Sequence, residues 1–559
     1  MFSAILVLPL HAQEKAGTGL SEQNEKQLER DKVLITQNQY KQIYGVYSGS
    51  GGEFITSDTV IAAWNALLGK SLEMIDMHCA AALPGELDDA LKVLPSEPPA
   101  GMSRADFDAA SRKAKLILGV ASRLMDGSWK GGPELDGLIS EEVKRIESAQ
   151  GTSLPTWLTL GEANPVRSFD YAIFKPTAAY VEYERMAQYY RAVRWLQYAS
   201  MAPQQPVNQA AHGMIIEAVR RKDTFAVLSE ITEMLFGPTE GEEKEFKRLS
   251  AIEPGNGLDV RLFDQSTTIK RPWPDPVEAM ALAGMPMAVK MLSSEPTVSK
   301  GIENLSASQA WAQRPLHLSY LKAMGALSDT ESEDLPAFMK SEAWQRKCLN
   351  TGLAGWAQIS HATALTRGNA GIGFGGYERP PRSFVEPNPE FFHRFSLMIS
   401  ETIQGLESVY ARLHEGYEMT LMTSSWLELK DLCSDLENLA HKQLRGLELS
   451  ERDQMVFNGF GKRLESCMIQ TRETKDDAPQ VAVGYSRPGV GVLLVGTGRP
   501  QEILVKYPWK GEEYVCSGAV LPFRSLQTNR VLSDKEWKEL LDSPQAPPPP
   551  EWLQPILAK

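Results

Sequence analysis

The segment Asp170–Gln197 contains seven aromatic residues and three arginines in 28 positions, the densest set of side chains that could bind a ligand. Stacked Tyr and Trp rings with guanidinium groups form cleft walls suited to sugars, peptides or anionic groups. The binding residues would then be Phe174, Tyr180, Arg191, Arg194 and Trp195. The alternative is a core helix with an amphipathic edge, which we favour because aromatic residues at helical spacing usually pack inside a protein.

Histidines are the next residues that could carry chemistry, since imidazole acts as an acid, a base or a metal ligand near neutral pH. His361 lies in LAGWAQISHATALTRGN, where Trp356 and Ile359 predict a buried helix. A histidine in that setting is more often a hydrogen-bonded core residue than a ligand. The chain contains no HExxH, GxSxG, EF-hand or P-loop lysine motif, and the sequence therefore predicts neither a metal site nor a cofactor.

A stretch rich in Gly and Pro at 368–389 is a candidate binding loop, because it is too long for a passive connection in a compact domain. It includes a GxGxxG pattern at 371–376. That pattern lacks the preceding strand and the following helix through which the dinucleotide motif works. We therefore do not predict a nucleotide site there.

The elements that must position these residues are mostly helical from 32 to 475. One helix begins at Thr56-Ser57-Asp58, with Ser57 or Asp58 as its N-cap, and ends near His78. Its apolar residues fall on one helical face. The same periodicity predicts further helices at 105–125, 137–149, 178–200, 206–220, 224–235, 277–293, 306–326, 341–364, 389–416, 418–445 and 450–470.

Short runs of Val, Ile and Leu follow Ala478 and predict a small antiparallel sheet over 479–525, with a hairpin at Lys510-Gly511. Ser533 and Glu536 form a capping box for a last helix. The Pro-rich tail is extended, and it either docks through Trp552 or projects. The sequence thus predicts a mainly α fold. Its parts are a flexible lead-in (13–31), a large multi-helix domain (32–475), a small β element of the same domain (476–530), and a C-terminal helix with a Pro-rich tail (531–559).

Charge and the N-terminal segment indicate where the protein works. The net charge of −13 argues against a nucleic-acid partner, which needs a cationic face. Residues 1–12 contain an apolar run that ends in Leu10-His11-Ala12, typical of a signal peptide. No other apolar run reaches the roughly 18 residues that a membrane span needs. We expect an exported protein, periplasmic or extracellular. Five scattered cysteines allow a Cys433–Cys467 disulfide without requiring one.

Eight segments also carry a resemblance to a known family. They are FITSDTV (54–60), DYAIFKP (170–176), YYRAVRWL (189–196), WAQISHATAL (356–365), VEPNPEFF (385–392), ELSERDQMVFNGFGKRLE (448–465), GRPQEILV (498–505) and EEYVCSGAVL (512–521). Together they resemble DUF3160, a family of bacterial, mostly exported proteins. The family has no established activity, so the resemblance implies a compartment and a fold rather than a reaction.

At four places the chain departs from the pattern of the family it resembles. Histidines that follow the ITSD-type segment are replaced by Val60–Asn65, and the Gly-His-Tyr that follows Lys-Pro is replaced by Thr177–Tyr180. A His-Asp-Thr motif is here His361-Ala362-Thr363. An Asp-Val-His motif is here Ala482-Val483-Gly484. If these polar positions converge in space, the resemblance implies a metal or acid–base site in the typical member.

Two hypotheses of function follow. This chain would keep His361 of such a site, with Asp58, Asp170 and Lys175, and so few ligands seldom hold a catalytic metal. The leading hypothesis is therefore a non-catalytic envelope protein with a degenerate family site that binds an unknown envelope ligand or protein. The alternative is a hydrolase-like enzyme that acts on a cell-envelope or environmental polymer. Its catalytic candidates, around one cleft, are Asp58, Asp170, Lys175, His361 and Glu386.

Overall fold

A computed structural model describes residues 20–48, 52–153, 155, 157–158, 169–181, 183–199, 205–236, 276–292, 315–363, 382–413, 417–468, 476, 478–487 and 491–559. The chain is mainly α, as predicted, with small antiparallel sheets near its C-terminus. Within the described ranges, no helix has the length and apolar character to cross a membrane.

The helices are α1 (Glu22–Asp31), α2 (Ser57–Lys92), α3 (Arg104–Met125), α4 (Asp136–Ser148), α5 (Glu184–Tyr198), α6 (Pro206–Val219), α7 (Asp223–Phe236), α8 (Pro276–Leu282), α9 (Pro286–Leu292), α10 (Leu316–Leu327), α11 (Glu342–Ala362), α12 (Pro389–Leu413), α13 (Tyr417–Leu444), α14 (Glu451–Met468) and α15 (Asp534–Leu541).

Two helices, α2 and α11, form the centre of the protein. Residues 57–65 of α2 and 347–362 of α11 are buried without interruption. A helix that is apolar all round is one that neighbours enclose on every side, and α2 packs against α3, α11, α13 and α14. Gly355 permits this close packing, because a Cβ there would overlap the Tyr320 hydroxyl and lie 2.7 Å from Ile61.

Both ends of α2 differ from the prediction. Thr56 is the N-cap residue, whereas Ser57 or Asp58 was predicted, and its hydroxyl donates to the carbonyl oxygen of Ala519 at 2.5 Å. The helix also continues past His78 and through Pro84 to Lys92. Its apolar face continues across the proline, from Leu83 to Leu87 and Ala90, which are all buried. This burial offsets the backbone hydrogen bond that proline cannot make.

Among the described residues, the β structure comprises two three-stranded antiparallel sheets and two short pairs, where the sequence predicted one sheet. The strands are β1 (Val33–Gln39), β2 (Phe54–Ile55), β3 (Thr152–Ser153), β4 (Phe169–Asp170), β5 (Phe384–Val385), β6 (Val481–Arg487), β7 (Gly491–Thr497), β8 (Gln501–Trp509), β9 (Glu512–Val520) and β10 (Phe523–Thr528). The sheet orders are β1-β8-β9 and β10-β7-β6. The hairpin at Lys510-Gly511 forms as predicted, with φ of 50° and 85°, the two positive values that a type I′ turn requires.

The strand β1 is the element that helical periodicity misassigned. Its residues fall at the start of the range predicted as mostly helical, yet they pair with β8 through Val33↔Val505 and Ile35↔Ile503. β-Branched side chains favour such a strand. Its partner lies more than 460 residues further along the chain, so no local pattern identifies the pairing.

Two other predicted helices differ in the structure, and two further predictions fall partly outside the described residues. The helix expected at 178–200 is a 3₁₀ turn, Ala178–Val181, followed by α5. The helix expected at 277–293 divides into α8 and α9 at Gly284, whose φ is 84°. Residues 306–314 and 364–381, which include most of the expected binding loop, lie outside the described residues. The last part of that expected loop forms β5.

The two ends of the described chain bind each other. Residues 22–31, predicted as part of a flexible lead-in, form α1, and its Asn24 exchanges hydrogen bonds with the backbone of Lys559 at 3.2 and 3.0 Å. The Pro-rich tail docks through Leu553 and Ile556, which are fully buried, while Trp552 is only partly buried. The tail therefore joins the core through small aliphatic side chains next to β1.

All five cysteines are buried and form no disulfide. Cys433 and Cys467 lie on the adjacent helices α13 and α14, and burial raises the pKa of both thiols. These thiols are therefore neutral core residues, and the Cys433–Cys467 bond that the sequence allows does not form.

We expect the docked tail to contribute substantially to stability. Ile556→Ala should lower the free energy of unfolding by about 2–4 kcal/mol, because it removes a buried side chain and leaves a cavity. The exposed neighbour Glu551 provides the control, since Glu551→Ala should change it by less than about 0.5 kcal/mol. Urea denaturation followed by circular dichroism measures both. Equal stability of the two variants would show that the tail is not docked in solution.

Candidate functional site

The candidate site begins where two parallel strands end. β2 and β5 pair through Phe54↔Phe384 and Ile55↔Val385. Parallel strands place their carboxyl ends at the same edge, so Thr56-Ser57-Asp58 meets Glu386 there. This pairing joins residues that lie more than 300 positions apart, and it places two of the predicted acid–base residues in one cluster.

Lys347 of α11 occupies the centre of this cluster. Its Nζ atom lies 2.8 Å from Glu386 Oε2, 3.1 Å from Asp58 Oδ2 and 3.0 Å from Ser57 Oγ. The ammonium group donates hydrogen bonds to Glu386 and Ser57 and forms an ion pair with Asp58. The Lys347 and Glu386 side chains are 0% exposed and that of Asp58 is 1% exposed, so this is an ion network without contact to solvent.

The carboxylates of the cluster are held by further donors. Glu386 Oε2 accepts the N–H and the hydroxyl of Ser57, both at 2.8 Å, and thus caps the first turn of α2 from another element. Asp58 accepts the Thr351 hydroxyl at 2.8 Å and the Leu521 N–H at 3.1 Å. A carboxylate that accepts backbone N–H groups at a helix N-terminus also interacts favourably with the helix dipole.

The charges in this cluster shift one another's pKa. Burial alone would lower the pKa of Lys347, but Glu386 and Asp58 outweigh it and raise that pKa. Burial raises the pKa of Asp58; Lys347 opposes the shift and Glu386 adds to it. Two carboxyl groups share one ammonium, and desolvation therefore favours the protonated form of Asp58. The Oε1 atom of Glu386 has no hydrogen-bond partner among the described residues, but the cluster is closed to solvent, which makes it unsuited to bind a substrate.

His361 lies at the other end of α11. Ten residues separate it from Thr351, which is about 15 Å along a helix axis. Its Nε2 atom is 3.1 Å from Asp534 Oδ2, and Asp534 Oδ1 accepts the Val481 N–H at 3.0 Å. Both side chains are buried, and Nδ1 of His361 has no hydrogen-bond partner among the described residues. A carboxylate that orients an imidazole is the arrangement found in acid–base catalysis.

The residue Asp534 was not identified in the sequence. It is the first residue of α15, directly after the capping residue Ser533. Acidic residues are common in a first helical turn, so its sequence position carried no sign of a histidine partner 173 residues away. The pairing depends on how the C-terminal helix packs against α11.

Lys175 also contacts the first turn of α15. Its ammonium lies 3.2 Å from Glu536, the acidic member of the capping box, and 3.2 Å from the Val531 carbonyl oxygen. Burial opposes ionisation of Glu536, but the N–H and hydroxyl of Ser533 and the charge of Lys175 lower its pKa to about 2. The Lys175 side chain is 37% exposed, so this pair resembles ordinary surface ion pairs.

The five acid–base candidates therefore lie in three places. Asp58 and Glu386 belong to the sealed cluster, and His361 and Lys175 contact the first turn of α15. Asp170 is in β4, whose backbone pairs with Thr152 of β3. The structure brings them together in pairs but not around one cleft. Among the described residues, no three His, Cys, Asp or Glu side chains are grouped as metal ligands.

The predicted binding residues are mainly internal. Phe174, Tyr180 and Trp195 have 0% exposure. The Trp195 Nε1–H donates to the Ile117 carbonyl oxygen at 2.9 Å. The Tyr180 hydroxyl donates to Asp76 on α2. These rings therefore pack in the core and hold α5 and the preceding turn to α2 and α3.

The two arginines of that set differ in their exposure. Arg194 is buried, with its guanidinium 5.4 Å from the Tyr190 ring centre. Arg191 is partly exposed, and its Nε atom has no hydrogen-bond partner among the described residues. The part of the segment that could reach a ligand is thus an arginine edge, formed by Arg185 and Arg191 beside the exposed Tyr183, rather than its buried rings.

The chain is similar to a known protein family along most of its length. A family model described as "Protein of unknown function (DUF3160)" matches residues 21–237 and 259–553, which is most of the chain. The chain belongs to the DUF3160 family. No curated protein and no solved structure matches it significantly.

Three sequence motifs of this DUF3160 chain lie near one helix end. His361-Ala362-Thr363 ends α11, and Ala482 follows Val481, whose N–H binds Asp534. Lys175, of the Lys-Pro motif, contacts the same first turn of α15. Three segments from distant parts of the sequence thus meet at one helix end, where this member has alanine at two positions.

Another buried carboxyl group, that of Glu53, lies beside β2. The backbone of Glu53 pairs with Ser383 and Phe384, but its Oε2 atom has no hydrogen-bond partner among the described residues. Burial raises the pKa of Glu53 from 4.5 to about 8. The folded protein therefore holds Glu53 in its neutral form at pH 7.

We expect Lys347→Met to destabilise the protein by about 3–5 kcal/mol, because it leaves two carboxyl groups buried without their cation. The loss should grow from pH 5 to pH 8, since the folded state then retains protons that the unfolded state releases. Lys442→Met is the control: Lys442 forms a partly exposed pair with Asp453, which should contribute only about 0–1 kcal/mol. Urea denaturation at both pH values measures this, and a cost below about 1 kcal/mol for Lys347→Met would contradict the account.

Glu53→Gln should stabilise the protein at alkaline pH. A folded-state pKa of about 8 means that the stability contributed by Glu53 is complete below pH 4.5 and is lost as the pH rises to 8. Glutamine mimics the neutral acid, so the variant should gain roughly 2–4 kcal/mol over the natural chain at pH 8.5 and much less at pH 5. Exposed Glu551→Gln should show no such gain. Thermal unfolding at the two pH values provides the comparison, and a pH-independent difference would refute the assignment.

Proposed function

We propose that this chain is an exported, non-catalytic binding protein of the bacterial envelope. The observation that carries the proposal is the Lys347 cluster, in which Asp58 and Glu386 are neutralised inside the protein. A general acid or base must come within hydrogen-bond distance of its substrate, and these two carboxylates have no access to one. Their role is to fix α2, α11 and β5 to one another.

The second group of candidates supports the same proposal. Lys175 and Glu536 pair with each other at the cap of α15. The hydroxyl groups nearest to His361 in sequence are also committed, since Ser360 and Thr363 each donate at 2.8 Å to a carbonyl oxygen of the preceding turn. Neither of these two hydroxyl groups is placed to act with His361 as the nucleophile of covalent catalysis.

The negative net charge bears on the class of partner. A charge of −13 repels polyanions at long range, which argues against nucleic acid as the ligand. A cell-envelope polymer or an envelope protein fits the expected compartment. The altered family positions at the first turn of α15 are consistent with a member that has kept the fold while losing polar side chains from a shared site.

A hydrolase-like activity on an envelope polymer is the second candidate function. The observation in its favour is the His361–Asp534 pair, because a carboxylate-oriented imidazole whose Nδ1 has no partner among the described residues could serve as a general base. In that case Asp534, rather than Asp58, is the carboxylate that acts with His361.

Purified peptidoglycan sacculi separate the two functions. The mature chain should co-sediment with sacculi and release no soluble fragments on chromatography, and His361→Ala should bind to the same extent. Lys175→Ala provides a matched variant from the same helix end. Fragments released by the natural chain but not by a folded His361→Ala variant would support the hydrolase. Absence of co-sedimentation would contradict binding to this polymer.

A further inference from the structure

A small crevice lies where the Pro-rich tail passes the ends of two sheet strands. Its volume is about 270 Å³, slightly below the range of about 300–1,000 Å³ typical of small-molecule pockets. Its walls are formed by the tail prolines, two glutamines and two arginines. They include Pro547, Pro548, Pro549, Gln39, Gln501, Arg499 and Arg524.

The two arginines differ in how their charge is balanced. Arg499 pairs with Asp476 and with Asp542, each at 2.6 Å. Arg524, in β10, donates from Nη1 to the carbonyl oxygen of Phe523 at 3.0 Å, and it forms no salt bridge with any described carboxylate. The crevice is therefore lined by one compensated cation and one uncompensated cation.

Arg524 is partly buried at the crevice wall. Burial lowers its pKa to about 10. A guanidinium group in such a setting is normally paired with a carboxylate or hydrogen-bonded at several of its N–H groups. Arginine carries five N–H donors, and a single bond to a neutral carbonyl oxygen leaves most of them without a partner among the described residues.

We propose that this crevice is a binding site for a small oxyanion, a carboxylate or a phosphate group, held by the guanidinium of Arg524. Planar guanidinium groups bind such oxyanions through two parallel N–H···O bonds. The proline walls contribute no N–H donors of their own, so Arg524 determines which ligands are attracted. The volume fits a ligand the size of a short carboxylic acid or inorganic phosphate rather than a polymer chain.

This site is independent of the proposed envelope-binding function. It lies at the C-terminal tail rather than at the arginine edge of α5, and its ligand class is a small anion. The protein as a whole is negatively charged, so anion binding has to come from a local cation rather than from the overall field.

Thermal unfolding of the full chain with added anions tests the site. Inorganic phosphate and acetate are titrated separately against chloride at constant ionic strength. At least one should raise the melting temperature saturably, and the response identifies a phosphate or a carboxylate site. Arg524→Gln should weaken the apparent affinity at least tenfold, and Arg524→Lys should weaken it less, because lysine supplies a charge without the planar fork.

The matched control is Arg452→Gln, which removes an exposed arginine on α14 and should leave the response unchanged. Phenylglyoxal modification of the natural chain gives a measurement that does not depend on variant folding: the effective anion should protect Arg524 but not Arg452, as quantified by mass spectrometry. An equal anion response in Arg524→Gln, or no protection of Arg524, would overturn the proposal.

Discussion

The ammonium group of Lys347 is the constraint on which the rest of the structure depends. A charge in the protein interior costs several kcal/mol unless every partner is in place, and here the partners come from distant parts of the chain. Asp58 and Ser57 are supplied by the first turn of α2, and Glu386 by the residue after β5. Leu521, between β9 and β10, donates its N–H to Asp58. A shift of any one of these elements would leave a buried charge unpaired, so the cluster defines how helices and sheet fit together.

The Lys347 cluster changes which acidic and basic residues are candidates for a functional role. Asp58 and Glu386 have the chemistry of catalytic acids, but their surroundings make them structural. The first turn of α15 is a different setting, since His361, Lys175 and the start of β6 meet there. In a member with polar residues at the positions of Ala362 and Ala482, that helix end would hold a larger polar group. This chain keeps one oriented imidazole and a surface ion pair there.

Local patterns predicted much of the fold. Helical periodicity located α3, α4, α6, α7 and the long helices α11 to α14 to within a few residues, and the capping box at Ser533 and the turn at Lys510-Gly511 are as expected. These features depend on neighbouring residues alone. The strand β1 could not be predicted in the same way, because its partner β8 is distant in sequence.

The candidate site was less predictable than the fold. Asp58, Lys175, His361 and Glu386 were identified by type and resemblance, but their partners Lys347 and Asp534 were not. Lys347 lies 290 residues from Ser57, inside a helix whose other residues gave no sign of a buried charge. A lysine in a helix usually points to solvent, and only the packing of α11 against α2 reveals that this one does not.

Amine reactivity of Lys347 tests the central claim most directly. Reductive methylation of the native chain, followed by peptide mass spectrometry, compares Lys347 with the exposed Lys26 of α1. If the cluster is sealed and structural, Lys347 should stay unmodified until denaturant unfolds the whole protein, and Lys26 should react within the first minutes. Methylation of Lys347 in the native state at the rate of Lys26 would mean that the cluster opens to solvent, and it would contradict the structural role.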